Sequence, residues 1–121
     1  MRQIKFQIYW IAGHEMLYDT NNDLEFRDKE NYPITYLSDA TNHPERYTVR
    51  QYTGLKDKNG VEIYEGDILS YFGFEYEVTF EESAFGWSED GQFYAFAEMA
   101  IDEIEKTKLI GNIYENPELA K

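Results

Sequence analysis

The sequence predicts a mainly β protein, with an N-terminal β lobe over residues 1–52 and a small antiparallel barrel or sandwich over residues 53–121. Three observations support this fold class. Apolar and polar residues alternate in several short segments, as expected for half-buried strands. Turn-forming residues separate these segments at hairpin spacing. Aromatic residues make up 17% of the chain and hydrophobic residues 42%, which is enough to close a small core.

The first lobe begins with IKFQIYW at residues 4–10, where alternate residues are apolar and predict a strand with one buried face. The triplet AGH at residues 12–14 predicts a turn, and residues 15–18 predict the partner strand. Residues 19–45 are polar and contain two prolines, so they are predicted to form an irregular segment. Alternation returns over residues 46–52, which predict a further strand.

The second lobe opens with a predicted hairpin. Asn59-Gly60 is the preferred dipeptide of a two-residue type I′ turn, and Gly66 predicts a second reversal. Residues 99–105 are compatible with one or two helical turns. Asn116 as N-cap and Pro117 at the first helical position predict one short C-terminal helical turn. The remaining predicted strands are residues 61–64, 68–72, 75–82, 92–97 and 108–114.

Two blocks resemble the YopX family of phage and prophage proteins from Gram-positive bacteria. They are QYTGLKDKNGVEIYEGDIL at residues 51–69 and LIGNIYENPEL at residues 109–119, and the opening MRQIKF is also similar to the family. Together they cover about 36 of the 121 residues. The resemblance implies a mainly β protein, an SH3-like barrel in the second half and a phage or prophage origin. It implies no activity and no catalytic residues.

Charge is distributed unevenly along the chain. The formal net charge is −13, from 24 acidic and 11 basic residues. No Lys or Arg occurs between Lys58 and Lys106, whereas residues 59–105 carry 13 of the acids. A surface that serves only solubility usually mixes both signs. The second lobe is therefore predicted to present an acidic surface to a basic partner.

The strand EYEVTFEE at residues 75–82 provides the candidate site. With two-residue periodicity, Glu75, Glu77 and Glu81 share one face, and Tyr76, Val78 and Phe80 share the other. Two aromatic residues that follow are candidate apolar anchors, although aromatics beside a turn often simply cap the core. The candidate partner-binding residues are Glu75, Glu77, Glu81, Glu82, Phe85 and Trp87.

The sequence lacks the residues that most types of enzyme active site require. The chain has no Cys and two His, which argues against a structural zinc site or a thiol nucleophile. No phosphate-binding loop or dinucleotide fingerprint occurs, so we expect no cofactor and no enzyme activity. One alternative is a metal-dependent enzyme in which Glu62, Glu65 and Asp67 hold Mg²⁺.

Other partner classes fit the composition less well. Arg46, Arg50, Lys56 and Lys58 form a local basic patch, but nucleic-acid affinity rests on neutralising phosphates, which a strongly acidic chain repels. The N-terminal apolar run is too short and too polar for export or a membrane span, so a cytoplasmic protein is expected. Exposed strand edges leave a self-assembling structural protein, or a homo-oligomer, as a further alternative.

These observations predict a non-enzymatic accessory protein of a phage or prophage. It would act through protein–protein contacts, with a host or phage protein of basic surface as its partner.

Overall fold

The computed structural model describes residues 4–119 and has a mainly β fold, as predicted. The first three residues of the MRQIKF segment lie outside the described residues. Twelve strands and two short α-helices occur in the described range, together with 3-10 turns at Phe96–Glu98 and Pro117–Leu119. The strands are β1 Phe6–Trp10, β2 Glu15–Leu17, β3 Glu25–Arg27, β4 Pro33–Tyr36, β5 Tyr47–Lys56, β6 Glu62–Tyr64, β7 Asp67–Tyr71, β8 Phe74–Glu77, β9 Thr79–Glu81, β10 Ala84–Glu89, β11 Gln92–Ala95 and β12 Lys108–Asn112; the helices are α1 Leu37–Asn42 and α2 Ile101–Ile104.

The chain divides into two compact units, Ile4–Gln51 and, within the described range, residues 52–119. In the first unit, β1 pairs antiparallel with β2 and with the first half of β5. Ile8 sits opposite Leu17 on one side and Val49 on the other, and it is fully buried. The predicted hairpin of residues 4–18 is therefore confirmed, because local alternation placed its buried face correctly.

Residues 19–45 are not irregular, in contrast to the prediction. Strands β3 and β4 pair antiparallel with a bulge, and α1 follows directly after β4. Phe26 of β3 and Ala40 of α1 are buried in the core of the first unit. This segment is thus an ordered hairpin and helix.

The polar residues of this segment form its turns. One carboxylate oxygen of Asp19 accepts a hydrogen bond from the backbone N–H of Asp23, and the other accepts one from Leu24, both at 3.0 Å. Asp28 Oδ1 accepts from the N–H groups of Glu30 and Tyr32 at 3.0 and 2.9 Å. Such side-chain-to-backbone bonds replace ladder bonds at turns, so high polarity here indicates ordered turns.

The second unit contains two three-stranded antiparallel sheets, with the orders β12-β7-β8 and β11-β10-β9, and β6 pairs with the end of β5. Val78 joins β8 to β9, so residues 74–81 form one bent strand that passes from the first sheet to the second. The Val78 N–H donates to the Asp67 carbonyl at 2.8 Å, which continues the pairing with β7 up to the bend. Both sheets enclose one core.

Aromatic rings dominate that core. Trp87 stacks on Tyr76 with ring centroids 4.4 Å apart and meets the edge of Phe96 at 5.6 Å. Offset and edge-on arrangements are the favourable geometries for aromatic pairs. The buried members of this core are Ile63, Leu69, Val78, Phe85, Trp87, Phe96 and Ile104.

The hairpin at Asn59-Gly60 differs from the prediction. A type I′ turn needs positive φ at both of its central residues. Gly60 has φ of +79°, whereas Asn59, which the structure also describes, does not have a positive φ. The Asp57 carbonyl accepts from the Gly60 N–H at 3.0 Å, and the Asp57 N–H donates to the Val61 carbonyl at 2.9 Å. This is a three-residue loop ending in a left-handed glycine.

The C-terminal segment follows the prediction. Strand β12 pairs with β7, and a single 3-10 turn begins at Pro117. The Leu119 N–H donates to the Asn116 carbonyl at 3.0 Å, which closes that turn.

Candidate docking surface

The bent strand of residues 74–81 separates its acidic and apolar side chains as predicted. Tyr76 and Val78 pack towards the core, whereas Glu75 and Glu81 are exposed and Glu77 is half-buried. Phe80, the third residue of the predicted apolar face, is 50% exposed. Pairing with β7 places Glu77 opposite Ile68. The structure therefore brings three of the predicted glutamates together on one face of one strand.

These glutamates have no basic partner among the described residues. The ion pairs shown within residues 4–119 join Arg27 to Glu25, Lys106 to Glu103 and His43 to two nearby carboxylates. Same-face neighbours along a strand lie about 7 Å apart, so each like-charge pair costs about 0.6 kcal/mol at the dielectric constant of water before screening by salt. This repulsion is small enough for a solvent-exposed strand face to tolerate, and the face carries only negative charges.

Hydroxyl groups from two strands orient Glu81. Its Oε2 accepts from Thr79 Oγ1 at 3.0 Å and from Ser88 Oγ at 3.4 Å. Ser88 belongs to β10, the neighbouring strand. The carboxylate is therefore held against the sheet while remaining exposed to solvent.

Glu77 lies at a small hollow of about 250 Å³ that is also lined by Ile68, Tyr76 and Leu119. Burial raises the pKa of Glu77 above its ordinary value of 4.5, because a partly desolvated carboxyl group favours its neutral form. Burial also raises the pKa of Tyr76, whose hydroxyl donates to Glu89 Oε1 at 3.1 Å. Both shifts arise where the acidic face borders apolar side chains.

Glu82 occupies a turn and not the strand face. Glu82 and Ser83 have φ of +52° and +66° and form the two-residue connection between β9 and β10. Positive φ at both positions is the type I′ geometry. The exposed Glu82 side chain lies at the end of the strand beyond Glu81.

The two predicted apolar anchors are buried, so they are not available as exposed anchors. Trp87 retains only 3% of its exposure and Phe85 is also in the core. Pairing of β10 with β9 places Phe85 opposite Phe80, with ring centroids 4.9 Å apart. The structure therefore agrees with the alternative interpretation, in which these two aromatic residues pack in the core.

Exposed aromatic side chains occur instead at the β7–β8 turn. Phe72 is 73% exposed and Phe74 is 67% exposed. The turn residues Phe72 and Gly73 have φ of +49° and +83°, again the type I′ geometry. Sequence reasoning missed this feature because Phe is not a turn-forming residue, and Gly73 was the only local signal.

The second unit also contains an open groove of about 740 Å³ between the end of β5, the β9–β10 connection and the segment before α2. Its apolar lining comes mainly from Leu55, Phe80, Phe85, Phe96, Met99 and Ile101. Exposed acids, Glu98 and Asp102, are adjacent in sequence to this lining. Thr53, Lys56 and Ser83 also line the groove, which can therefore hold an apolar side chain beside one basic group.

The alternative metal site is not assembled. Asp67 is buried, and its Oδ2 accepts from the Tyr64 N–H at 2.6 Å, so this carboxylate holds the turn before β7. Glu62 accepts from the Tyr64 hydroxyl at 3.3 Å. Among residues 4–119, no three His, Asp or Glu side chains are placed to hold a metal ion, so Glu62, Glu65 and Asp67 do not form the predicted cluster.

One member of the predicted basic patch is buried within the first unit. Arg50 is 5% exposed, and its guanidinium group donates to Gln7 Oε1, at 3.0 Å from Nε. Arg46, Lys56 and Lys58 remain exposed. A buried guanidinium group is not available for phosphate contacts. Within the described range, no helix is both long and apolar enough to cross a membrane.

The two sequence blocks that carry the family resemblance meet in the structure. Asp57 Oδ2 accepts from the Leu109 N–H at 2.8 Å, and the Gly66 carbonyl accepts from the Ile113 N–H at 2.9 Å. Gly66 has φ of +88°, and a Cβ atom there would lie 2.7 Å from the ring of Tyr114. The two blocks are therefore joined by direct hydrogen bonds within the second unit.

Comparison with known proteins agrees with this architecture. The crystal structure of protein EF1440 from Enterococcus faecalis matches the chain with a TM-score of 0.60 and 26% sequence identity, over 100% of both chains. No match was found among curated proteins. The family model described as YopX protein matches residues 5–121, essentially the whole chain. The predicted resemblance is confirmed, and the chain belongs to the YopX protein family.

Proposed function

We propose that this protein is a non-enzymatic protein–protein interaction module that presents an acidic surface to a basic partner. The observation that carries the proposal is the face of the bent strand, where Glu75, Glu77 and Glu81 lie together without a basic neighbour on the same strand. Following the resemblance, we expect an accessory protein of a phage or prophage that works in the host cytoplasm on a host or phage protein.

The physical argument concerns both attraction and orientation. A surface of one sign raises the rate of encounter with an oppositely charged protein and disfavours partners of like charge. Because Glu81 is held by two hydroxyl groups and the strand is paired on both halves, the carboxylates form a rigid pattern. A rigid pattern loses little entropy when a complementary basic surface binds.

Charge reversal tests this proposal. The variant Glu75→Lys, Glu77→Lys, Glu81→Lys takes the formal net charge from −13 to −7, since each reversal adds two units. A matched control reverses Glu30, Glu105 and Glu118, which are exposed and give the same net charge. Both variants and the wild type are used as bait in nuclease-treated lysate of the source cells, with elution along a salt gradient.

We expect a basic protein to be retained by the wild type and the control variant, and to elute at moderate salt because exposed charge pairs are screened. The strand-face variant should lose it by at least about tenfold, because three attractive contacts become repulsive. An equal loss of the partner from both triple variants would show that only net charge matters. Retention that does not respond to salt or to the strand-face reversal would refute the acidic docking surface.

A further inference from the structure

The β7–β8 turn exposes more aromatic surface than packing requires. Phe72 and Phe74 are mostly exposed, although they lie one and three residues beyond the half-buried Tyr71. Single exposed apolar residues are ordinary, but two neighbouring aromatic rings on one tip form an apolar patch. Core packing therefore does not account for them.

The backbone at this tip adds an independent observation. Phe72 has φ of +49°, a left-handed conformation that Gly, Asn and Asp tolerate far better than a bulky residue. Residues with strained backbone cluster at functional sites. Leu24 of the other unit shares this conformation, but Phe72 combines it with 73% exposure of an aromatic ring, which makes Phe72 a candidate for a functional contact.

The tip is also held rigidly to the core. The ring of Tyr71 contacts Phe72 edge-on at 4.6 Å and lies 5.8 Å from Trp87. The Tyr71 hydroxyl donates to Glu103, and the backbone register pairs Tyr71 with Phe74. A preorganised apolar tip binds with little loss of conformational entropy.

We propose that Phe72 and Phe74 form an apolar anchor that inserts into a pocket of the partner protein, and that Lys and Arg residues border this pocket. This inference rests on the proposed function, because the acidic face begins at Glu75, directly after Phe74. Alternation along the strand places Phe74 on the face opposite Glu75 and Glu77, so the tip enters the pocket and the charge that meets the basic border lies on one side of the tip.

Charge complementarity selects this occupant over two others. A membrane surface rich in anionic lipid would repel the glutamates that follow the tip. A second copy of the chain could offer its apolar groove, whose lining includes Lys56, but exposed acids adjoin that lining in sequence and two copies with a formal net charge of −13 each repel one another. Like charges brought together at an interface oppose binding. A basic protein pocket meets neither obstacle.

Site-specific photo-crosslinking tests the proposal in cells of the source organism. Photo-reactive benzoyl-phenylalanine replaces Phe72, Glu75 or, as a matched control, Tyr32, an aromatic residue of the other unit that is 63% exposed. We expect one basic protein to be cross-linked from position 72 and from position 75, and at least about tenfold less from position 32. The adduct should disappear when Glu77→Lys and Glu81→Lys are added.

The affinity of the purified partner then completes the test. Phe72→Asn with Phe74→Ser should weaken binding by about tenfold or more, as for a central aromatic contact, while the melting temperature falls by no more than roughly 6 °C. Tyr32→Ala should leave binding unchanged.

The outcomes separate the two proposals. Cross-linking from position 75 but not from position 72 would overturn the apolar anchor and leave acidic docking in place. No adduct from either position would refute both. Adducts with lipid, or with a second copy of the chain, would overturn the choice of occupant.

Discussion

Substitution of Phe72 measures the cost of its left-handed backbone. Phe72→Gly and Phe72→Ala both delete the ring, so the difference between their stabilities reports only the backbone at φ +49°. Alanine in this region is disfavoured by about 1–2 kcal/mol relative to an ordinary conformation. Glycine avoids this cost but loses about 0.4–1 kcal/mol more conformational entropy on folding. We expect the glycine variant to be more stable by roughly 0.5–1 kcal/mol.

The ring itself contributes little to folding stability. About a quarter of Phe72 is buried, which corresponds to roughly 40–70 Å² and about 1–1.5 kcal/mol. Phe72→Asn loses this stabilisation from burial. Part of the lost free energy is offset, because Asn adopts a left-handed φ at lower cost than Phe does. Its stability should therefore lie within about 1 kcal/mol of the wild type. By contrast, Trp87→Ala removes a core ring and should cost about 3–5 kcal/mol.

Urea unfolding followed by far-UV circular dichroism measures these differences. For a chain of this size, about 1 kcal/mol corresponds to a shift in melting temperature of roughly 3–6 °C, which thermal unfolding resolves. The decisive comparison is the order of the glycine and alanine variants at position 72. An alanine variant as stable as the glycine variant would contradict the left-handed backbone, and with it the strain argument for the anchor.

Three further substitutions test the scaffold and the acidic face. Asp57→Ala removes the carboxylate that accepts three backbone N–H groups, so its free energy of unfolding should fall by about 3–5 kcal/mol, and by less in Asp57→Asn. Gly66→Ala should lower stability by at least about 1–2 kcal/mol, because φ is +88° and the new methyl group meets Tyr114; an unchanged urea midpoint would contradict this. Burial raises the pKa of Glu77 in the folded state, so the folded protein binds this proton more tightly than the unfolded chain does. The resulting contribution to stability is fully present below the unfolded pKa near 4.5 and is lost as the pH rises through the folded pKa. Glu77→Gln should therefore raise the melting temperature at pH 7 and match the wild type at pH 4, whereas an equal gain from the exposed control Glu75→Gln would assign the effect to net charge.

The sequence correctly predicted those strands and hairpins whose formation depends on residues close together in the chain. The alternation around Ile8 and the turn after it predict the first hairpin, because one face of that strand is buried by its immediate neighbours. The bent strand was also predicted from alternation, which separates Glu75, Glu77 and Glu81 from Tyr76 and correctly places the acidic face.

Pairing between strands that are distant in the chain determines which aromatic residues are buried and which are exposed, and the sequence alone did not show this. Trp87 and Phe74 both lie in short aromatic segments next to glycine, and nothing local distinguishes them. Strand register places Trp87 against Tyr76 in the centre of the core, whereas Phe74 is opposite Tyr71 at the end of its sheet. The assignment of core and surface aromatics therefore required the tertiary structure, and the predicted anchors were wrong for this reason.

Turn chemistry misled the prediction in two ways. Asn59-Gly60 matches the type I′ preference, but the Asp57 carboxylate binds the N–H groups of Asn59 and Val61 and favours a longer loop. Positive φ at both residues of a two-residue connection, the type I′ geometry, occurs instead at Phe72-Gly73, Glu82-Ser83 and Asp90-Gly91. In residues 19–45, aspartates make the same kind of bond, so polarity was mistaken for irregularity.

The residues that carry the family resemblance differ from those that carry the proposed docking. Asp57 and Gly66 lie inside the first block, and both accept hydrogen bonds from backbone N–H groups of the second block, Asp57 through its carboxylate and Gly66 through its carbonyl. Phe72, Phe74 and the strand-face glutamates lie between the blocks, on a hairpin whose tip contributes little to the core. Substitutions in the two sets should therefore change different quantities. Asp57→Ala lowers the melting temperature, whereas Phe72→Asn lowers affinity at nearly constant melting temperature. If affinity instead fell only in proportion to stability in both sets, the hairpin would be part of the scaffold and the docking surface would have to lie elsewhere.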